Sequence, residues 1–466
     1  MRTEHDALGP INVPDDRYYG AQTQRACDNF KVGSEKFPHQ FIYAHVLLKK
    51  AAAHVNASIG LLDHNLKHAI TQAADHVLDG DLYDHFPLVI WQSGSGTQFN
   101  MNVNEVLASR ANELLTGQRG GKIPVHPNDH VNMSQSTNDT IPSSIHLAAV
   151  AAIHDNLLPA ITRLQNSLTK KAQAFNQIIK IGRTHLQDAV PLTLGQEFSG
   201  YAAQLQLAQN AIENALHPLY QLAIGATAVG TGLNAPPDFG RLMAKHLAQL
   251  AGHPFRQAEN LFAALAGHEP LITASAALKT LAAALNKIAN DIRYLASGPR
   301  CGLGELKIPA NEPGSSIMPG KINPTQCEMV TMVACQIYGN DTTIAIAASQ
   351  GQFELNAYKP LLAYSLLQSI DLLATACDSF DKRCVAGIEP DKQRIDELLN
   401  RSLMLVTALA KHIGYDHAAD IALKAHRQNT SLRQAALASG YVSPDDFDRF
   451  VKPETMVAHN TTDTQK

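Results

Sequence analysis

The sequence contains little charge, few cysteines and a single tryptophan among its 466 residues. Charged residues make up 17% of the chain and the formal net charge is −4, whereas typical soluble domains carry roughly 25% charged residues. This slightly acidic balance provides no basic surface of the kind that binds nucleic acid, so we expect no nucleic-acid partner. Low charge, together with abundant alanine and leucine, predicts extensive helix–helix contact within one chain or between copies.

Metal-ligand cysteine patterns and membrane-spanning runs are also missing. The six cysteines are sparse, which predicts reduced thiols in a cytoplasmic protein. No apolar run approaches the roughly 20 residues that cross a bilayer. The N-terminus, Met1–Asp6, carries acidic residues and no apolar stretch, so it is typical of neither a secretory signal nor a transit peptide. We therefore expect a cytoplasmic protein without a membrane partner.

Helical periodicity dominates the middle of the chain. The clearest helix is predicted from about Pro270 to Ser297, where apolar residues recur at alternating steps of three and four. That spacing is typical of left-handed bundle packing. Its members are Leu271, Ala274, Leu278, Leu281, Leu285, Ile288, Ile292 and Leu295. A weaker seam from Val150 to Leu168 contains Pro159, which should kink that helix.

Long, weakly charged helices must bury their apolar stripes, and a helical bundle is the simplest solution. We predict an all-α fold in which a long-helix bundle is flanked by smaller, mostly helical N- and C-terminal domains. The predicted boundaries are 1–136, 137–390 and 391–466. Alanine-rich segments such as 345–348 favour a second covered face, and hence oligomerisation through the bundle. Residues 460–466 read as a frayed tail.

Two polar segments interrupt the helical pattern, Ser93–Asn104 and Gly117–Asp139. Within the second, residues 126–139 include only three side chains that cannot form hydrogen bonds. Such density is costly unless the segment binds something polar or lies in water. A long turn remains the alternative for the first segment.

A third unusual segment, Gly182–Pro191, contains Thr184 and His185, which we predict at the entry to a helix. Glu328 is the candidate partner of His185, because a His–Glu pair can hold one imidazole tautomer, raise its basicity or polarise a water. A lone histidine is more often a structural residue, and the sequence alone does not show whether the two side chains meet.

The most informative segment is Gly314–Pro324, Gly-Ser-Ser-Ile-Met-Pro-Gly-Lys-Ile-Asn-Pro. Glycine gives it a mobile start, Ser315 and the next serine supply hydroxyls, and Lys321 supplies a cation. We predict Asn323 as a helix N-cap with Pro324 as the first helical residue. A hydroxyl near a cation and a helix N-terminus can become unusually acidic, so the segment predicts an anion site.

This loop resembles the signature loop of the fumarase/aspartase superfamily, and further segments resemble class II fumarases in the same order. Those segments are Gly94–Thr97, His126–Asp129, Ser136–Asp139, Gly182–His185 and Pro324–Glu328. The resemblance covers essentially the whole chain, and the motifs together are highly specific.

The resemblance implies a fumarate hydratase of the tricarboxylic acid cycle, which converts fumarate and L-malate reversibly by anti addition or elimination of water. It implies that Ser315, on a mobile loop, is the base at carbon and that His185, paired with Glu328, serves the water side. The implied substrate-binding residues are Ser95, Gly96, Thr97, Ser136, Thr137, Asn138, Thr184, Ser316, Lys321, Ile322 and Asn323.

The resemblance further implies a second, non-catalytic dicarboxylate site formed by His126, Pro127, Asn128 and Asp129. In the family, each active site takes segments from three chains of a homotetramer, and the reaction needs neither a metal nor an organic cofactor. We therefore expect no cofactor.

Three alternatives stay open. Aspartate ammonia-lyases share the serine loop but usually have Gln at the position of His185 and Ala at that of Gly320, so both residues favour a fumarase. Argininosuccinate and adenylosuccinate lyases match the Gly94 segment and residues 325–328 less well. A non-catalytic homologue would be expected to have lost Ser315, His185 or Lys321, and all three are present.

Overall fold

The computed structural model describes residues 1–457, so the predicted tail at 460–466 lies outside the described residues. The fold is 63% helical, which confirms the all-α prediction. The α-helices are α1 Ala21–Asn29, α2 His39–Ser58, α3 His64–Leu78, α4 Thr97–Thr116, α5 Thr137–Ala152, α6 Leu158–Ala174, α7 Leu194–Leu219, α8 Phe239–Ala251, α9 Leu261–Ala266, α10 Glu269–Leu295, α11 Thr325–Ala348, α12 Lys359–Arg383, α13 Lys392–Arg401, α14 Ala410–Ile413, α15 Tyr415–Gln428, α16 Leu432–Ser439, α17 Pro444–Phe450 and α18 Pro453–Met456.

Within residues 1–457, the strands are short and form two-stranded ribbons, of which one is parallel. The antiparallel pairs are β1 Arg2–Asp6 with β2 Gly9–Val13, β3 Ile179–Thr184 with β4 Gln187–Thr193, and β7 Leu306–Lys307 with β8 Glu389–Pro390; the parallel pair is β5 Gln221–Leu222 with β6 Arg256–Gln257. Short 3₁₀ or π turns lie at Tyr83–His85, Pro127–Val131, Ile153–Leu157, Val385–Gly387 and Leu403–Ala408.

The two predicted apolar seams are confirmed as buried stripes. All eight members of the seam on α10 are buried, as are the seam residues between Val150 and Leu168. The helix that contains Pro159 passes through a π-helical turn, Ile153–Leu157, just before the proline. A π turn is one of the known ways in which a helix accommodates a local break in its hydrogen-bond ladder.

One predicted break is partly wrong, because α4 begins at Thr97 and includes the second half of Ser93–Asn104. Asn100 and Asn104 lie inside this helix and are buried. Asn100 Nδ2 donates to Thr137 Oγ1 at 2.9 Å, and Asn104 Nδ2 donates to Asn132 Oδ1 at 3.1 Å. These tertiary hydrogen bonds compensate for the weak helix propensity of asparagine.

The chain divides into two compact units. Unit 1 comprises Met1–Pro159, Ala208–Ala282 and Val333–Thr375, and unit 2 comprises Ala160–Leu207, Ala283–Met332 and Ala376 onward. Within unit 2, the short helices near the C-terminus surround a small apolar core that includes Leu409, Ile421 and Ala436. The three-domain division drawn from the sequence stays a prediction.

Two helical stretches, Thr137–Ala174 and Lys359–Gly387, are long and apolar enough to cross a membrane by length and composition alone. The sequence-based expectation of no such segment was therefore too strict. In their most apolar windows, 61% and 67% of the residues are buried inside the protein, as expected for core helices of a bundle.

Candidate active site

In unit 2, Thr184 and His185 lie at the tip of the β3–β4 hairpin. The prediction that they stand at the entry to a helix was wrong. Thr184 pairs with Gln187, and the two loop residues, His185 and Leu186, have φ angles of 56° and 60°. Two residues with positive φ are typical of the tight turns that match strand twist. The turn exposes both Thr184 and His185 to solvent.

The base of this hairpin is anchored by a buried ion cluster. Arg183 Nη2 donates to Glu305 Oε1 at 2.6 Å, and Lys180 Nζ lies 3.2 Å from the other oxygen of the same carboxylate. The Glu305 side chain is fully buried, and Lys180 also lies 3.3 Å from Glu197. Burial raises the pKa of the Glu197 carboxyl, and the nearby Lys180 opposes that shift. The exposed residues Thr184 and His185 therefore follow a strand that buried ion pairs hold in place.

The Gly314–Pro324 loop, also in unit 2, is closed at its ends and exposed in the middle. Gly314 N donates to Lys321 O at 2.9 Å, and Asn323 Nδ2 donates back to Gly314 O. Helix α11 begins at Thr325, so the prediction that Asn323 caps the helix was wrong. The Asn323 side chain instead closes the loop by its hydrogen bond to Gly314. Ser316, Lys321 and Ile322 are exposed.

The Ser315 hydroxyl has a distinctive environment within this loop. Its Oγ accepts backbone N–H groups from Met318 at 3.0 Å and from Ile317 at 3.3 Å. Two converging N–H donors stabilise negative charge on an oxygen. The sequence did not predict this contact, because it depends on how the loop folds back on itself.

His185 and Glu328 are both exposed, and within residues 1–457 no hydrogen bond or ion pair joins their side chains. Glu328 lies in the first turn of α11. Their pairing therefore stays a prediction. Among the described residues, no three histidine, cysteine, aspartate or glutamate side chains cluster as metal ligands would.

In unit 1, the Gly94–Thr97 segment forms a chain of hydroxyls at the start of α4. Ser95 Oγ lies 2.9 Å from Ser93 Oγ and 2.8 Å from Thr97 Oγ1. Gly94 must be glycine, because a Cβ there would lie 1.4 Å from the carbonyl oxygen of Ala357. Gly96, with φ of 81°, is the N-cap residue.

Ser136, Thr137 and Asn138 form the start of α5. Ser136 and Asp139 make a capping box, in which Ser136 N donates to Asp139 Oδ1 at 3.0 Å. Asn138 Nδ2 donates to Ala228 O at 2.8 Å. The Ser-x-x-Asp spacing could have predicted this helix start from the sequence.

The two helix N-termini lie side by side. The Asn100 Nδ2 to Thr137 Oγ1 bond joins the first turn of α4 to the first residue of α5. The Gly96 backbone also approaches Ile141 of α5, since a Cβ at Gly96 would lie 3.2 Å from that side chain. The partial positive charge of a helix N-terminus attracts anions, and two neighbouring termini reinforce each other.

Buried acidic and basic groups lie beneath this pair of termini, and sequence reasoning missed them. Asp139 Oδ2 accepts the backbone N–H groups of Gly225 at 3.1 Å and of Thr227 at 2.9 Å. Burial raises the pKa of Asp139, although these bonds and the nearby Lys49 act against the shift. Motif comparison gives no signal for Lys49, which comes from a distant helix.

His126, Pro127, Asn128 and Asp129 form a compact turn in unit 1. His126 Nδ1 accepts the backbone N–H groups of Asn128 and Asp129, both at 3.1 Å. Burial lowers the pKa of His126, and the Asp129 carboxylate, 3.5 Å away, partly opposes the shift. Pro127 is buried, whereas Asn128 and Asp129 are exposed.

The chain is similar to known families over most of its length. Residues 9–339 match the family described as Lyase, and residues 405–458 match the family described as Fumarase C C-terminus. The chain is 60% identical to a class II fumarate hydratase of Thermosynechococcus vestitus, with 99% of each chain covered. It is 57% identical to a mitochondrial fumarate hydratase of Rhizopus oryzae, with 98% of this chain and 93% of the relative covered.

A solved structure gives the same result. The crystal structure of a class II fumarase from Schistosoma mansoni superposes with a TM-score of 0.95 at 46% identity, and 98% of each chain is covered. A fumarate lyase from Brucella melitensis, solved with cobalt, gives a TM-score of 0.92 at 40% identity, covering 98% of this chain and 99% of the other. This chain therefore belongs to the class II fumarate hydratases, which are lyases of the fumarase/aspartase superfamily.

Proposed function

We propose that this protein catalyses the reversible, anti addition of water to fumarate, forming L-malate. The observation that carries the proposal is the 60% identity to a class II fumarate hydratase over 99% of this chain. The Ser315 contacts are compatible with the same chemistry.

The substrate carboxylates are proposed to bind at the paired N-termini of α4 and α5. Ser95 and Thr97 supply hydroxyls at one terminus, and Ser136, Thr137 and Asn138 supply polar side chains at the other. Gly96 keeps the backbone between the hydroxyls close to α5. Two helix N-termini favour a dianion electrostatically, and fumarate and malate are dianions near neutral pH.

Ser315 is proposed to remove the proton from carbon when malate is dehydrated. A free serine hydroxyl is a very weak acid, so its alkoxide must be stabilised to act as a base. The N–H groups of Ile317 and Met318 already point at this oxygen. Lys321 lies on the same loop, and we propose that it contributes positive charge together with Ser316, Ile322 and Asn323 around one substrate carboxylate.

The hydroxyl that leaves malate needs a proton from the opposite face of the molecule. We propose that a water held by His185 donates it, with Glu328 orienting the imidazole and Thr184 contacting the substrate. Because His185 and Glu328 are both exposed and unpaired within residues 1–457, we propose that the pair forms between copies of the chain. Sites shared by three chains of a homotetramer would bring them together.

Ultraviolet absorbance of the purified protein tests the function directly. Addition of L-malate is expected to raise the absorbance, because fumarate has a conjugated double bond and malate does not; L-aspartate is expected to give no rise. The Ser315→Ala variant, purified identically, is the control for contaminating activity. A rise with aspartate alone would make the protein an ammonia-lyase, and no rise with either substrate would point to a larger succinyl substrate or a non-catalytic role.

Light scattering combined with activity measurement tests the shared site. We expect a tetramer, and we expect activity per chain to fall when dilution dissociates it. A monomer with full activity would contradict the proposal that several chains build one site. A cytoplasmic location stays a prediction.

A further inference from the structure

Helix α2 carries a polar face directed toward the proposed carboxylate site. His45, Lys49 and Asn56 are each fully buried, although most of their neighbours on the helix are apolar. Their spacings of four and seven residues place them on one side of the helix. His45 forms hydrogen bonds with Ser144 and Asn100, Lys49 bonds to Asn132, and Asn56 bonds to Met133 O. Asn100 in turn bonds to Asn132. One face of α2 thus supports the segment that contains Ser136–Asn138.

Lys49 lies at the centre of this face. Its Nζ donates to Asn132 Oδ1 at 2.8 Å and to Gln135 Oε1 at 3.0 Å. The same Asn132 oxygen accepts Asn100 Nδ2 at 3.2 Å and Asn104 Nδ2 at 3.1 Å. A buried lysine is costly unless its donors are satisfied. Burial lowers the pKa of Lys49, and the buried Asp139 carboxylate opposes that shift.

The acceptors of Lys49 form the turn that leads into α5. Asn132 Nδ2 donates to Gln135 O at 3.2 Å, which closes the turn, and Gln135 Nε2 donates to Met133 O at 2.9 Å. Ser134, inside this turn, has a φ of 64°, a conformation that a non-glycine residue holds only when its surroundings impose it. Asn56 Nδ2 donates to Met133 O at 3.0 Å.

The network reaches the substrate-binding groups in one further step. Asn100 Nδ2 bonds both to the Asn132 oxygen that Lys49 holds and to Thr137 Oγ1. Thr137 and Asn138 directly follow the turn, so the turn determines where their side chains point. This arrangement also explains why residues 126–139 contain so many hydrogen-bonding side chains, since several of them are internal partners of α2.

We propose that Lys49 is a positioning residue that, through Asn132 and Gln135, holds Thr137 and Asn138 in the orientation that binds a substrate carboxylate. This inference rests on the proposed function, because it assumes that the carboxylate binds there. Lys49 does not touch the reacting atoms in this scheme. Its loss should therefore weaken the binding of ground state and transition state alike.

The test is steady-state kinetics of Lys49→Met, which removes the charge and both hydrogen bonds while keeping a long, unbranched side chain. We expect KM for fumarate to rise about tenfold, corresponding to the loss of about 1.4 kcal/mol of binding, with kcat within about threefold of wild type. The matched control is Lys50→Met, which changes the adjacent lysine, ion-paired with Asp75 in unit 1. The control is expected to leave KM unchanged.

A purely structural role would give a different result. It would reduce the fraction of folded enzyme, so apparent kcat would fall at unchanged KM, and that outcome would overturn the assignment. Should Lys49→Met fail to fold, Gln135→Leu removes one acceptor of Lys49 together with the bonds from Gln135 Nε2 to Val131 O and Met133 O. We expect this variant to raise KM about threefold, in line with a weakened turn in front of Thr137. An unchanged KM in Gln135→Leu would also overturn the assignment. The wild type is assayed alongside, and its failure to convert fumarate would refute the proposed function itself.

Discussion

In unit 1, Thr137 and Asn138 are held in place by tertiary hydrogen bonds, whereas in unit 2 the candidate residues Thr184, His185 and Lys321 are exposed. Thr137 and Asn138 each bond to another part of unit 1, and buried groups on α2 and α4 support them. In unit 2, His185 lies at the tip of a hairpin and Lys321 lies in an exposed loop. The groups of unit 1 that are proposed to bind a carboxylate are thus preorganised within one chain.

The groups proposed to transfer protons are built differently. The hairpin is anchored by the ion pair between Arg183 and the buried Glu305. The loop is closed at its ends by the hydrogen bond from Asn323 to Gly314. Their tips remain exposed in one chain. Preorganised binding groups reduce the entropy lost when substrate binds, while exposed tips remain available to a neighbouring copy or to the substrate. The following predictions test this contrast.

The largest effect is expected at Ser315. Replacement by alanine removes the proposed base, so turnover should fall by about 10²- to 10⁴-fold, the usual contribution of general acid–base catalysis. Rates of fumarate formation from malate provide the measurement. Ile317→Ala is the matched control on the same loop, since it leaves the backbone N–H that contacts Ser315 intact. Its turnover should stay near that of wild type.

A similarly large effect is expected at His185, at the tip of the hairpin. His185→Asn removes a group proposed to take part in proton transfer, so turnover should fall at least about a hundredfold. Thermal unfolding should change little in Ser315→Ala and His185→Asn, since both side chains lie outside the apolar core. Near-normal turnover in either variant would remove that residue from the mechanism.

The second prediction concerns the anchor of the hairpin. Glu305→Ala should lower the free energy of unfolding by about 3 kcal/mol, because it leaves Arg183 and Lys180 without their shared buried carboxylate. Urea unfolding of the purified variants measures this loss. Asp448→Ala, which breaks an exposed ion pair with Arg433, is the control and should change stability little. Equal effects in the two variants would show that the hairpin base is not an anchor.

The third prediction concerns pH and unit 1. Burial lowers the pKa of His146 to about 4, although its bond to Gln221 O at 2.8 Å opposes the shift. The unfolded chain takes up this proton below about pH 6.5, so between pH 6.5 and 4 the unfolded state binds more protons and stability falls as pH falls. At pH 5, His146 alone should cost about 2 kcal/mol relative to pH 7.

The measurement is the unfolding midpoint from pH 7 to pH 5, compared between wild type and His146→Gln. The variant should show a shallower decline with acid. Part of the decline should persist, because His45 and His268 are also buried with lowered pKa values. Identical slopes in the two proteins would mean that His146 binds its proton as readily in the folded protein as in the unfolded chain, contrary to the prediction.

The smallest effect is expected at His126. Its imidazole accepts only backbone N–H groups of the two residues that follow Pro127, an interaction that an asparagine side chain can also make. His126→Asn should therefore leave turnover within about threefold of wild type, consistent with a separate, non-catalytic site. A collapse of kcat would place His126 in the catalytic site instead.

Periodicity carried most of the fold prediction. The seam on α10 and the stripe through Leu157 and Leu164 were read directly from apolar spacing, because a helix buries one face regardless of its partners. At the start of α7, Thr193 and Gln196 have the spacing of a capping box and exchange hydrogen bonds of 2.9 and 3.0 Å. Local chemistry sufficed in these places.

Prediction failed where distant contacts outweighed local preference. We expected His185 at the entry to a helix, but it lies at the tip of a hairpin. The sequence did not reveal this hairpin, because the buried Glu305 that anchors it lies far away along the chain. Asn323 was expected to cap α11, but its amide is used to close the loop on Gly314. The second half of Ser93–Asn104 was expected to be irregular, and buried asparagine bonds keep it helical.

The sequence by itself determined the helical architecture and the family. The architecture follows from the spacing of apolar residues, and the family follows from motifs that are contiguous along the chain. Only the tertiary structure decided which polar side chains face inward and which stand free. Lys49 and Asp139 are buried beneath Thr137, while His185 is exposed at the end of an anchored hairpin. The physical reason is that the cost of burying a charge depends on partners that folding brings from elsewhere in the chain.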